Sequence, residues 1–64
     1  MKNLGERIKF YRGKHGLTQE AFSNMCGIGR VTLIRIERGV QDPTAKTLYA
    51  IESILKTDEN NETK

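Results

Sequence analysis

Residues 27–39 read GIGRVTLIRIERG, and the two sides of this stretch differ in chemistry. In a helix, Leu33 and Ile36 lie on one face. The opposite face displays a mixture of aliphatic and basic side chains, with one more arginine at its N-terminal edge: Val31, Ile34, Arg35, Arg38 and Arg30. A solvated face accounts for the arginines, but it rarely clusters valine and isoleucine among them. The major groove of DNA suits both types, because arginine pairs with guanine and an aliphatic group packs on the thymine methyl.

Length and composition restrict the alternatives. A chain of 64 residues forms one small domain. Its single cysteine, Cys26, excludes an internal disulfide, and one histidine, His15, cannot complete a set of zinc ligands. We therefore expect no metal and no cofactor. The sequence also lacks a secretory signal and an apolar run long enough to span a membrane, so a cytoplasmic location and no membrane contact are predicted.

The net charge of +3 is unevenly distributed. Residues 57–64 (TDENNETK) contain three acids and one lysine, which leaves residues 1–56 with ten Lys or Arg against five acids. A compact basic body suits a nucleic acid or another anionic surface. We predict a DNA-binding domain over residues 1–56 and a disordered polar tail over residues 57–64, because the latter offers too little apolar surface to fold.

The periodicity is helical throughout, so the predicted fold is all-α. Four helices are expected, with room for a short fifth turn: residues 3–14, a short helix capped by Thr18 and ended by Gly27, residues 30–38, and residues 45–56. The predicted core faces are Leu4, Ile8 and Tyr11 in the first helix and Leu48, Ile51 and Leu55 in the fourth. Phe10 falls outside this pattern.

The spacing of the two central helices is typical of a helix-turn-helix. The stretch GLTQEAFSNMCGIGRVTLIRIERG, followed by DPTAKTL, resembles the Cro/C1-type (XRE-like) DNA-binding domain of phage repressors, restriction-modification controller proteins and small bacterial regulators. The resemblance covers residues 4–55 and implies a compact lambda-repressor-like fold.

The resemblance also implies a role for individual residues. Four positions match the base-reading positions of the recognition helix: Arg30, Val31, Ile34 and Arg35. Five match positions that contact the DNA phosphates, with Gln19 close enough to reach a base: Thr18, Gln19, Thr32, Arg38 and the backbone around Val40. A structural salt bridge is implied between Arg12 and Glu37.

The sequence departs from the family pattern at three points. Ser23 replaces the usual alanine, and we expect its hydroxyl to bond back to its own helix. Gly29 replaces the usual Ser or Thr cap. The usual fifth helix is missing, and Glu52 stands at a position that is normally small and apolar, so dimer contacts are instead expected from Tyr49 and Ile54 in the fourth helix.

The resulting hypothesis is a transcriptional regulator, of repressor type, that binds a palindromic operator in double-stranded DNA as a homodimer. The alternative is a protein-interaction or antitoxin-type helix-turn-helix module, in which Val31 and Ile34 meet a protein groove. An enzyme is not expected, because the hydroxyl, histidine and cysteine side chains are scattered over different faces.

Overall fold

The computed structural model describes residues 3–62, which form four helices and no strand. The elements are α1 (Leu4–His15), α2 (Gln19–Cys26), α3 (Arg30–Arg38) and α4 (Ala45–Glu62). The predicted all-α fold is confirmed, and the first three helices lie within one residue of their predicted bounds. No helix in the described part is long and apolar enough to cross a membrane.

Local side-chain caps explain where α1 and α2 begin. Asn3 Oδ1 accepts a hydrogen bond from the Glu6 amide at 2.8 Å, and Thr18 Oγ1 accepts one from the Ala21 amide at 3.0 Å. Such caps satisfy amides that have no partner within the helix. Gly27 ends α2 with a φ of +74°, a left-handed conformation that glycine adopts without steric cost. Three residues therefore suffice to turn the chain from α2 into α3.

All four helices contribute to one apolar core. Its buried members are Ile8, Phe22, Cys26, Leu33, Ile36, Ile51 and Leu55. Half-buried side chains pack around them, namely Leu4, Tyr11, Leu17, Ile28 and Ile54. Burial raises the pKa of the Cys26 thiol to about 11, so the group stays protonated at neutral pH and packs as a small hydrophobic residue.

Two expectations for α4 are wrong. Leu48 was placed on the core face but is exposed, whereas Ile54 was placed outside the core and packs against it. Helix α4 contacts both α1 and α2, so its buried face extends to Ile54 and leaves Leu48 exposed. Tyr49 lies on the opposite side of α4 and is 77% exposed.

Residues 57–62, where a loose polar tail was expected, continue α4 to Glu62 in the structure. Ion pairs with α1 hold this segment. Asp58 accepts a hydrogen bond from Lys14 Nζ at 3.1 Å and contacts His15 Nε2 at 3.0 Å. Glu59 binds the Arg7 guanidinium through two bonds of 3.0 Å. Residues 63 and 64 lie outside the described part, and the division of the chain at residue 56 stays a prediction.

The Arg7 guanidinium also explains why α4 tolerates Glu52. Arg7 Nη1 and Nη2 each donate to a Glu52 carboxylate oxygen at 2.9 Å. These hydrogen bonds lower the pKa of Glu52, and the bonds that Arg7 donates to Glu52 and then to Glu59 raise the pKa of Arg7. Glu52 therefore faces α1 as the partner of an arginine, where an apolar residue was expected.

Helices α1 and α3 cross in close contact at Gly5. A Cβ atom at this position would overlap the backbone carbonyl oxygen of Glu37. The side chain of Ser23 is likewise buried, and its hydroxyl donates to the Glu20 carbonyl oxygen at 2.8 Å, as expected. These small residues hold α1 and α2 close to α3 and so fix which side of α3 faces outward.

Candidate nucleic-acid interface

The outward face of α3 carries the side chains that the sequence assigned to it. Leu33 and Ile36 are buried, and Glu37 is only 6% exposed, so the inner face of the helix is covered by its neighbours. On the other side Val31 is 55% exposed. The three arginines of the helix, Arg30, Arg35 and Arg38, are exposed as well. Thr32 and Ile34 are half-buried at the margins of this face.

The arginines of α3 differ from those of α1 in their electrostatic partners. Among residues 3–62, Arg7 and Arg12 form ion pairs with acids, whereas Arg30, Arg35 and Arg38 form none. A guanidinium without an acidic neighbour keeps its full charge available to a ligand. The arginines of α1 are thus paired with acids, whereas those on the outer face of α3 are open to an anionic ligand, an arrangement that suits binding to a polyanion.

A buried ionic network connects the three helices behind this face. Arg12 Nε donates to Glu37 Oε2 at 2.7 Å, and Nη2 donates to Oε1 at 3.1 Å. The remaining terminal nitrogen of Arg12 donates to the Leu17 carbonyl oxygen at 3.1 Å, in the connection to α2. The Glu37 side chain is 3% exposed and that of Arg12 is 20% exposed. One guanidinium therefore holds α1, the start of α2 and α3 in a fixed arrangement.

Gln19 belongs to the same network, which the sequence did not indicate. Its Nε2 donates to Glu37 Oε1 at 3.2 Å, and the residue is half-buried at the N-terminus of α2. A carboxylate can only accept, so this contact fixes which end of the amide faces inward. The Oε1 atom and the second N–H of Gln19 are left for a ligand. The Thr18 hydroxyl caps α2 and is exposed beside it.

The loop after α3 brings Val40 to the surface with its side chain 69% exposed. Its backbone amide donates to the Arg35 carbonyl oxygen at 3.0 Å as part of the helix end. That amide is consequently engaged within the protein. A phosphate approaching the loop would meet the exposed Arg38 side chain, and the exposed Lys46 lies in the first turn of the next helix.

Two residues that shape the interface were missed in the sequence. No local pattern marks Gly5, although it permits the α1–α3 crossing. No local pattern marks Arg7 either, although it binds two carboxylates 45 and 52 positions away. A helical pattern reveals only contacts between residues three or four positions apart, so it could not indicate the distant partners of Gly5 and Arg7. The described residues hold no cluster of three side chains suited to a metal.

Comparison with known proteins agrees with this geometry. The profile of a helix-turn-helix family matches residues 8–60. An uncharacterized HTH-type transcriptional regulator of Methanocaldococcus jannaschii is 43% identical over 51 residues, which cover 80% of this chain and 73% of that protein. One from Archaeoglobus fulgidus is 33% identical over 49 residues, covering 77% of this chain and 70% of its own length.

A bacterial relative is similar over a comparable stretch. The HTH-type transcriptional regulator DicA of Escherichia coli is 37% identical over 57 residues, which cover 86% of this chain and 42% of DicA. Residues 8–60, which the family profile matches, contain α2, the turn at Gly27 and α3. The chain belongs to the helix-turn-helix family of Cro/C1 type.

Proposed function

We propose that this protein is a transcriptional regulator that binds specific sequences in double-stranded DNA. The observation that carries the proposal is the outer side of α3, where three exposed arginines without acidic partners lie on the same helix as the exposed Val31. Arginine and aliphatic side chains together match the guanine edges and thymine methyl groups of the major groove. The relatives named as HTH-type transcriptional regulators support the same conclusion.

In this proposal, base contacts and phosphate contacts come from different parts of the interface. The base-reading residues are Arg30, Val31, Ile34 and Arg35. Phosphates are bound around them by Thr18, Gln19, Thr32, Arg38 and the loop at Val40. Phosphate contacts position the helix, and base contacts select the sequence. Because its hydrogen bond to Glu37 orients the side chain of Gln19, the amide of Gln19 would already be positioned when the N-terminus of α2 meets the DNA backbone.

We also propose that the protein acts as a homodimer on a palindromic operator. One recognition helix reads a half-site, and two helices about 34 Å apart read successive major grooves on one side of the DNA. Tyr49 is the exposed aromatic group on α4 and, with Leu48 beside it, would form the contact between protomers. Ile54 packs against the core and would contribute only its half-exposed edge.

The regulatory role proposed is repression, of the phage, plasmid or restriction-modification controller type. A dimer seated on a promoter excludes RNA polymerase by occupying its site, and this mechanism needs no surface beyond the DNA interface. Repression is tested with a reporter gene placed behind an operator that the protein selects from random duplexes. Expression that rises when the protein is supplied would contradict repression without affecting DNA binding.

The decisive experiment is selection of bound sites from random duplexes with the purified protein. We expect an inverted repeat with half-site centres about 10 base pairs apart. Single-base changes in that operator then separate the two classes of contact. Arg35→Ala should weaken binding by ~1–3 kcal/mol and relax preference at one base pair. Arg38→Ala should weaken all sequences alike and reduce the salt slope by about one unit.

Lys56→Ala is the matched control, because it also removes one positive charge, but from an exposed position in the C-terminal half of α4, outside the proposed interface. It should leave both sequence preference and salt slope close to those of the unaltered protein. Loss of affinity that is equal for Arg35→Ala and Lys56→Ala would show that net charge, rather than the α3 face, drives binding. Recovery of no enriched sequence would favour the protein-interaction alternative, in which partner binding changes little with salt.

A further inference from the structure

The side chain of Val31 is unusual among the aliphatic groups of α3. It lies at the second position of the helix and is 55% exposed, whereas Leu33 and Ile36 are buried in the core. Ile34, the other aliphatic residue on the outer side, is half-buried. Val31 therefore offers the larger free apolar surface. It also lies at the N-terminal end of the recognition helix, the end whose residues contact base edges when a helix-turn-helix docks.

Valine can distinguish base pairs only through their apolar groups. It forms no hydrogen bonds through its side chain, so the donor and acceptor pattern of a base pair is invisible to it. In the major groove the apolar group is the methyl at C5 of thymine. Cytosine that is methylated at C5 presents the same group at the same place, whereas cytosine and uracil present only hydrogen there. At the Val31 contact, thymine and 5-methylcytosine are therefore equivalent.

The arginines beside Val31 favour the methylated cytosine pair in addition. Arg30 precedes it, Arg35 follows one turn later, and neither forms an ion pair within the described residues. Exchange of a T·A pair for a 5-methylcytosine·G pair keeps the methyl group and adds a guanine, whose O6 and N7 atoms accept hydrogen bonds from arginine. The planar guanidinium also packs well against flat groups such as the base carrying the methyl.

We propose that Val31 makes the α3 face a reader of C5-methyl groups, so that cytosine methylation strengthens DNA binding at the position it contacts. The inference rests on the proposed DNA-binding function and specifies a chemical modification of the DNA to which that function responds. A methyl-sized group removed from water corresponds to ~0.8 kcal/mol, or about a fourfold change in affinity. Methylation of the contacted cytosine should thus raise the affinity for the operator about fourfold.

The test uses the operator selected from random duplexes and measures affinity by fluorescence anisotropy. Each thymine is first replaced by uracil to find the contacted position, where uracil should bind about fourfold more weakly. Cytosine and 5-methylcytosine are then compared at that position, and the methylated duplex should bind about fourfold more tightly. The variant Val31→Ser, which removes both methyl groups of the exposed side chain, should bring both ratios close to one.

Met25→Ser is the matched control, because Met25 is an exposed apolar residue on α2, outside the α3 face. It should keep both ratios, and thermal melts verify that each variant folds. Equal binding of cytosine and 5-methylcytosine duplexes, or unchanged ratios in Val31→Ser, would overturn the inference while leaving DNA binding intact. Failure to recover any operator in the initial selection would remove the proposed function, and this inference with it.

Discussion

Replacement of Arg12 by alanine should reveal how strongly the buried network holds α3 in place. The substitution removes three hydrogen bonds and leaves the Glu37 carboxylate, 3% exposed, with the single bond from Gln19. Loss of one member of a buried pair costs about 3–5 kcal/mol because an uncompensated charge remains. Arg12 itself is 20% exposed, so water can partly replace it. We therefore expect a loss near the lower limit, about 3 kcal/mol.

That loss is large for so small a domain. Total stabilities of roughly 0.05–0.15 kcal/mol per residue imply that the variant is close to unfolding at room temperature. Each kcal/mol shifts the melting temperature of a domain of this size by about 4–8 °C, so the midpoint should fall by about 12–24 °C. Thermal melts followed by circular dichroism measure this. Denaturant titrations at low temperature supply the free energy of unfolding if the folded baseline is short.

A double-mutant cycle separates buried charge from lost packing. Adding Glu37→Gln to Arg12→Ala removes the uncompensated charge, so the double variant should be more stable than Arg12→Ala alone. Arg7→Ala is the control, because its partner carboxylates on Glu52 and Glu59 are 28% and 46% exposed and water solvates them readily. Arg7→Ala should cost clearly less. An unchanged midpoint in Arg12→Ala, or a double variant no more stable than the single one, would refute the reasoning.

Three further predictions follow from the packing. Gly5→Ala should destabilise the fold by about 1–3 kcal/mol because the new Cβ would overlap a carbonyl oxygen of α3. Gly13→Ala, where nothing lies within 4 Å of the new Cβ, should stabilise the fold by up to ~1 kcal/mol, and thermal melts that show the same sign for both variants would contradict the close crossing. Arg7 lowers the pKa of Glu52 and Lys14 lowers that of Asp58. The stability that these two carboxylates contribute is therefore complete above their unfolded pKa values of about 4 and is lost as the pH falls below those values. An unfolding free energy that is constant between pH 6 and 3 would exclude this contribution. Tyr49→Glu should shift sedimentation toward monomer by placing like charges at the proposed contact, and an unaltered dimer would locate the interface elsewhere.

Local features of the sequence were sufficient to predict α1, α2 and α3. Their caps and terminal glycines lie within a few residues of the groups they satisfy, as Asn3 and Thr18 show. The inner and outer faces of α3 also follow from periodicity, because Leu33 and Ile36 can be buried together only if Val31 and Arg35 face away. The sequence thus determined which helix exposes arginines and valine at the surface, since these relations extend over no more than two helical turns.

The tertiary structure alone decided features that depend on residues far apart in the chain. The polar segment after residue 56 is helical and lies against α1, where Arg7 and Lys14 form ion pairs and His15 forms a hydrogen-bond contact with acids more than 40 positions later. The orientation of Gln19 likewise depends on Glu37 in another helix. A hydropathy pattern records whether a segment can bury apolar surface on its own. It does not record that opposite charges, brought together by the packing of α1 on α4, can hold a segment that lacks such surface.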